Sequence, residues 1–131
     1  MFQSSGILKY TKNVNYSLRV VIDSELTRYY RSLLPKWMKS KQQMYSPHIS
    51  VVRKESPIYL EFWGKYEGEL ITFDYDHEIE YNDTYVWLNA YSHRLEQIRV
   101  ELGLPIHSQY TMPPEGFTKR FHTTIGNFKD L

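Results

Sequence analysis

One layout occurs twice along this chain: an alternating apolar strand, an amphipathic helix, a polar connection, and a short strand led by histidine. In the first half, Leu18, Val20 and Ile22 alternate with Ser17, Arg19 and Val21 over Tyr16 to Ile22, the period of a strand with one face buried. Asp23 or Ser24 can cap a helix whose face gathers Leu26, Tyr29, Tyr30, Leu33 and Leu34, and Pro35 stops or kinks it. His48 to Arg53 follows as a β-branched run. The second half repeats the order. Val86, Leu88 and Ala90 alternate with Tyr85, Trp87, Asn89 and Tyr91, Ser92 stands as an N-cap, and Leu95, Ile98 and Leu102 form a helical stripe. Gly103 fits the position just past that helix and Pro105 prevents its continuation. A run from Phe121 to Phe128 again opens with a histidine, His122. The duplication is one of order, not of residues.

Between the halves, Glu69 to Tyr81 alternates as a half-buried strand or hairpin arm, with Ile71, Phe73, Tyr75, Ile79 and Tyr81 on one face. Its other face carries Asp74, Asp76, Glu78 and Glu80, which a regular solvent face explains more simply than a cation site. At 131 residues with no Gly/Ser linker, the chain is expected to be one domain spanning residues 1–131. It has no cysteine, which removes disulfides, thiolate metal sites and cysteine nucleophiles together. A formal net charge of +1 argues against gripping long nucleic acid by bulk charge. Charge is nonetheless segregated: Leu26 to Lys54 holds seven bases and no acid, a block able to attract a small anion. No apolar run approaches the length of a membrane span, and Met1 to Asn15 lacks a secretion-signal pattern, so a cytoplasmic chain is expected. Without a heptad or a large apolar patch, a monomer is expected.

The two histidine strands share one grammar. His48-Ile49-Ser50-Val51 and His122-Thr123-Thr124-Ile125 each read histidine, any residue, hydroxyl residue, β-branched apolar residue. Strand side chains alternate, so His48 and Ser50 share a face, as do His122 and Thr124. Two imidazoles flanking one site suit general base and general acid, because their unperturbed pKa lies near neutrality. The hydroxyls beside them suit hydrogen bonds to phosphoryl oxygens as charge builds there. A lone His-x-Ser is common and usually structural; two copies in matching places of a repeated order are not. His77, His93 and His107 have no such company and read as structural. No zinc-type histidine spacing, serine triad or phosphate-binding glycine loop occurs, so no metal and no cofactor is expected.

These paired motifs and the doubled layout resemble the two-histidine (2H) phosphoesterases, which include the LigT-type cyclic phosphodiesterases. More narrowly, Tyr45 to Glu55, Phe121 to Asn127, and Tyr29 to Pro35 resemble the phage branch that contains anti-CBASS nucleases, which destroy the cyclic oligonucleotide messengers of a bacterial immune system. The resemblance spans nearly the whole chain. It implies an α+β fold of two pseudo-symmetric lobes, with antiparallel sheets lining a central cleft and helices packed outside. It also implies a metal-independent phosphodiesterase acting on cyclic di- and trinucleotides in the host-cell cytoplasm, with His48, Ser50, His122 and Thr124 as its catalytic residues.

Other positions are candidates for substrate binding. Trp87 lies on the strand face away from Val86 and Leu88, and Tyr10 lies near the first strand; either could stack on a base. Arg53 could neutralise a second phosphate, although strict alternation turns it away from His48 unless the strand bends. The connection from Ser108 to Arg120, with Pro113, Pro114, Gly116 and Lys119, reads as a lid or a surface crossover. Two alternatives stand beside the messenger nuclease. One is an enzyme of RNA ends, opening 2′,3′-cyclic phosphates or handling 2′-5′ bonds. The other is a sponge that binds cyclic nucleotides uncut.

Overall fold

Seven strands in one continuous antiparallel sheet form the frame of this chain among the described residues, and six of them close into a ring. In the computed structural model, residues 1–114 and 121–129 are described. The strands are β1 (Phe2–Lys12), β2 (Tyr16–Ile22), β3 (His48–Arg53), β4 (Leu70–Tyr75), β5 (Glu80–Tyr81), β6 (Tyr85–Tyr91) and β7 (Phe121–Asn127). Their order is β4-β1-β2-β3-β7-β6, and β6 pairs back onto β4 through Asp74 opposite Tyr91 and Tyr75 opposite Ala90. The two-residue β5 pairs with β6 at Trp87 and Val86.

The expected α+β fold of two lobes is therefore corrected to a mostly-sheet, closed six-stranded barrel with two nine-residue helices, α1 (Ser24–Ser32) and α2 (His93–Glu101). The element that overturns the expectation is β1, which the sequence hides behind Ser4-Ser5-Gly6. Eleven residues long, it pairs with β2 along one side and with β4 along the other, joining sheets that would otherwise belong to separate lobes. Gly6 permits that join. A Cβ there would stand 2.5 Å from the Val21 carbonyl oxygen and 2.6 Å from a Val20 methyl, closer than atoms pack.

A single apolar core results. Leu8, Leu18, Val20 and Ile22 meet Ile71, Phe73 and Tyr75, then Ile49, Val52, Leu88, Ala90 and Phe121 around the ring. The helices join the same core through Tyr30 of α1 and Leu95, Ile98 and Leu102 of α2. Both helix starts follow the sequence expectation: the Asp23 carboxylate accepts from the Glu25 amide at 2.9 Å, and the Ser92 hydroxyl accepts from the Leu95 amide at 3.2 Å. On α1 the buried face is turned relative to the expected stripe, with Thr27 and Tyr30 inside and Tyr29 and Leu33 exposed. The long alternation after Glu69 breaks into β4 and β5 around a turn. Among the described residues no helix is long and apolar enough to cross a membrane.

Candidate active site

The four motif side chains arrive on one face of the sheet. β3 and β7 are antiparallel neighbours with Ile49 opposite Thr123, both fully buried on the core side. One residue to either side, that register sets His48 opposite Thr124 and Ser50 opposite His122. Directly opposed side chains stand about 4.5–5.5 Å apart and diagonal ones about 7–8 Å. Each imidazole thus has the other motif's hydroxyl at its side, and the two imidazoles face each other across a diagonal that a phosphoryl group can span.

Both rings are held in the same tautomer. His48 Nδ1–H donates to the Ser46 carbonyl at 2.8 Å, and His122 Nδ1–H donates to the Thr111 carbonyl at 3.2 Å. A carbonyl only accepts, so each neutral ring carries its proton on Nδ1 and keeps the Nε2 lone pair for the site. Burial holds both histidines below their ordinary pKa, and it lowers His122 to about 4. The carbonyl partners oppose the shift. Positive charge on Arg53 adds to it at both rings, with Arg19 acting on His48 and His48 acting on His122.

Each motif strand also carries one extra residue at the same place. Arg19 lies opposite Ser50 and Leu18 opposite Val52, so Val51 is a β-bulge; Trp87 lies opposite Thr124 and Val86 opposite Gly126, so Ile125 is another. The first bulge resolves the direction of Arg53. It resets the pleat, puts Arg53 opposite Ser17, and brings its side chain to the His48 face that strict alternation denied it.

The bulge is held from behind. Arg99 of α2 is wholly buried; its Nη1 donates to the Val51 carbonyl at 2.7 Å, and its fork grips the Glu55 carboxylate at 3.0 and 2.8 Å. Its Nε donates to the carbonyls of Pro105 and Ile106 at 2.8 and 3.1 Å, tying the chain after α2 to the same point.

In front of the four motif side chains lies a cavity of about 690 Å³, a volume ordinary for a small-molecule site. All four line it, as does Arg53. Arg19 and Lys129 add positive charge to the wall, and no carboxylate lines it among the described residues. Tyr45, Tyr85 and Tyr110 offer aromatic rings, and Gln43, Asn82 and Gln109 offer amides. The part of the Ser108–Arg120 connection up to Pro114 forms one wall; Gly116, Lys119 and Arg120 lie outside the described residues.

Two sequence candidates are placed elsewhere. Trp87 shares the sheet face of Thr124 but is 1% exposed, donates its Nε1–H to Asn89 Oδ1 at 3.1 Å, and does not line the cavity. Tyr10 pairs with Leu18 on the core face, packs edge-on against Trp63, and burial raises its pKa to about 12. Sequence reading passed over Arg19, Tyr45, Tyr85 and Tyr110. Tyr45 stands three residues before His48, the nearest thing to a signal among them. Among the described residues no three His, Asp or Glu side chains gather in a way that could hold a metal ion.

Fold and site together define a closed antiparallel barrel bearing a paired histidine–hydroxyl cleft with a positively charged wall. No protein-family model, curated protein or solved structure matches this chain.

Proposed function

We propose that this protein is a phosphodiesterase that opens cyclic oligonucleotide messengers by acid–base catalysis between His48 and His122. One observation carries the reading: two imidazoles in the same tautomer, each beside a hydroxyl, face one cavity whose wall is positive and carries no carboxylate among the described residues. One Nε2 takes the proton of the attacking hydroxyl, from a neighbouring ribose or from water, and the other protonates the leaving oxygen. Ser50 and Thr124 donate to the non-bridging oxygens, where losing one such donor typically costs about 10²–10³-fold. The resemblance to two-histidine phosphoesterases supports the chemistry through its motifs alone. The setting it suggests is a phage protein removing an immune messenger in the host cytoplasm, with the chain acting as a monomer.

Incubation with a panel of cyclic di- and trinucleotides in EDTA is expected to yield linear products. Ligand bound but uncut would make the protein a sponge, and cleavage confined to RNA ends would support the 2′,3′-cyclic phosphate alternative. Cleavage of a deoxyribose analogue at full rate would exclude attack by the ribose hydroxyl.

The pH profile follows from the lowered pKa values. The working form has one imidazole protonated and the other neutral, and its population peaks between the two pKa values. Both lie below the ordinary 6.5, with His122 at about 4. The profile of kcat/KM, which reports the free enzyme, is therefore expected to peak on the acid side of 6.5 and to fall as pH rises. A bound phosphate anion favours the imidazolium, so the kcat optimum is expected at higher pH than that of kcat/KM. A kcat/KM optimum at or above pH 8 would contradict the assignment.

A further inference from the structure

We propose that Arg19 is a third anchor of the reacting phosphate, its guanidinium holding a non-bridging oxygen beside Ser50. The inference rests on the phosphodiesterase reading and extends it to a residue on a third strand. Arg19 lies on β2 directly opposite Ser50, one strand away from the motif pair, about 4.8 Å at the backbone. Its side chain lines the cavity that His48 and His122 share. The Nε atom is buried and, among the described residues, has no hydrogen-bond partner. A buried guanidinium donor left unpaired is unfavourable unless an acceptor arrives from outside the chain.

The chemistry at this spot requires such a group. A phosphodiester is an anion, and in-line attack loads further charge onto its non-bridging oxygens. The motif side chains supply two titrating rings, one protonated and one neutral in the working form, and two neutral hydroxyls; the imidazolium gives up its charge with its proton, so none of them is a fixed positive charge. Of the other cations on the wall, Lys129 sits over the Tyr85 ring at 4.8 Å, while Arg53 lies beyond the bulge and is exposed. Arg19 is the one set level with Ser50 and His122. A planar guanidinium also matches the geometry of two phosphoryl oxygens, which an ammonium does not.

The test uses the full chain with Arg19→Met and Arg19→Lys, read by thermal melting, by calorimetric binding of inorganic orthophosphate, and by kcat and KM. Two substrates are compared: a cyclic dinucleotide, and a linear dinucleoside monophosphate, which has a single phosphodiester and keeps the ribose 2′-hydroxyl. Arg19→Met is expected to keep or raise the melting temperature, to weaken orthophosphate binding by about tenfold or more, and to lower kcat/KM by about 10²–10³-fold on both substrates. Arg19→Lys is expected to recover part of each loss, and serves in its place should the methionine variant not fold. A loss confined to the cyclic dinucleotide would overturn the proposal by moving Arg19 to the second phosphate. Equal orthophosphate binding by wild type and variants, or none by wild type, would also overturn it. If the wild type cleaves neither substrate, the phosphodiesterase reading fails by itself, and orthophosphate binding still decides whether Arg19 anchors an anion.

Discussion

Replacing His122 by alanine is expected to lower kcat on a cyclic dinucleotide by about 10²–10⁴-fold, and replacing His48 to do the same. On the proposed reading each ring supplies a proton transfer that no carboxylate can take over, since none lines the cavity among the described residues. The losses should not add. Once one transfer is gone the other ring has no partner step, so the double variant is expected to fall close to the worse single variant. His122→Asn is the control for folding: its amide can still donate to the Thr111 carbonyl that His122 Nδ1 holds at 3.2 Å. Retained melting temperature with lost activity in both His122 variants would fit a chemical role. Activity within about threefold of wild type in either single alanine variant would end the acid–base assignment.

The second large effect falls on stability. Arg99→Met is expected to destabilise the protein by about 3–5 kcal/mol, because it strips a buried carboxylate of its only strong partner. Glu55 has a side chain only 8% exposed and would keep only the Arg53 amide, at 3.3 Å, while the carbonyls of Val51, Pro105 and Ile106 would lose the donor they share. For a chain of this length that corresponds to a fall in melting temperature of roughly 10–20 °C. Arg99→Lys should recover little, since one ammonium cannot reproduce a fork that serves a carboxylate and three carbonyls. The double change Arg99→Met with Glu55→Leu should be less damaging than Arg99→Met alone, because no carboxylate is then left unpaired. A change of less than about 1 kcal/mol in Arg99→Met would show that water reaches Glu55 freely.

How much of this the sequence disclosed depends on the range of each effect. The histidine–hydroxyl motifs are local, period-two patterns, and β3 and β7 carry their four side chains to one face as alternation requires. The caps at Asp23 and Ser92 are equally local. Ring closure is not local. It depends on β1, whose Ser4-Ser5-Gly6 start has poor strand character alone and works because Gly6 lies hard against Val21. The turn of Arg53 depends on a bulge at Val51, and what stabilises that bulge is a guanidinium 48 residues further along the chain. Trp87 shows the opposite failure: alternation assigns its face correctly, yet says nothing of what covers it, and it ends 1% exposed.

The ring is unevenly stitched. β1 holds β2 by seven residue pairs and β4 by six, and β6 holds β7 by six, whereas β3 meets β7 at Ile49 and Thr123 alone and β4 meets β6 at two pairs. The barrel is thereby two well-paired staves, β4-β1-β2-β3 and β7-β6, joined along two thin seams, and one seam runs directly beneath the imidazoles. His48 rides on one stave and His122 on the other. On the proposed reading, a phosphodiester held between the rings would lie over a single rung instead of a full ladder, where widening the gap costs little backbone pairing.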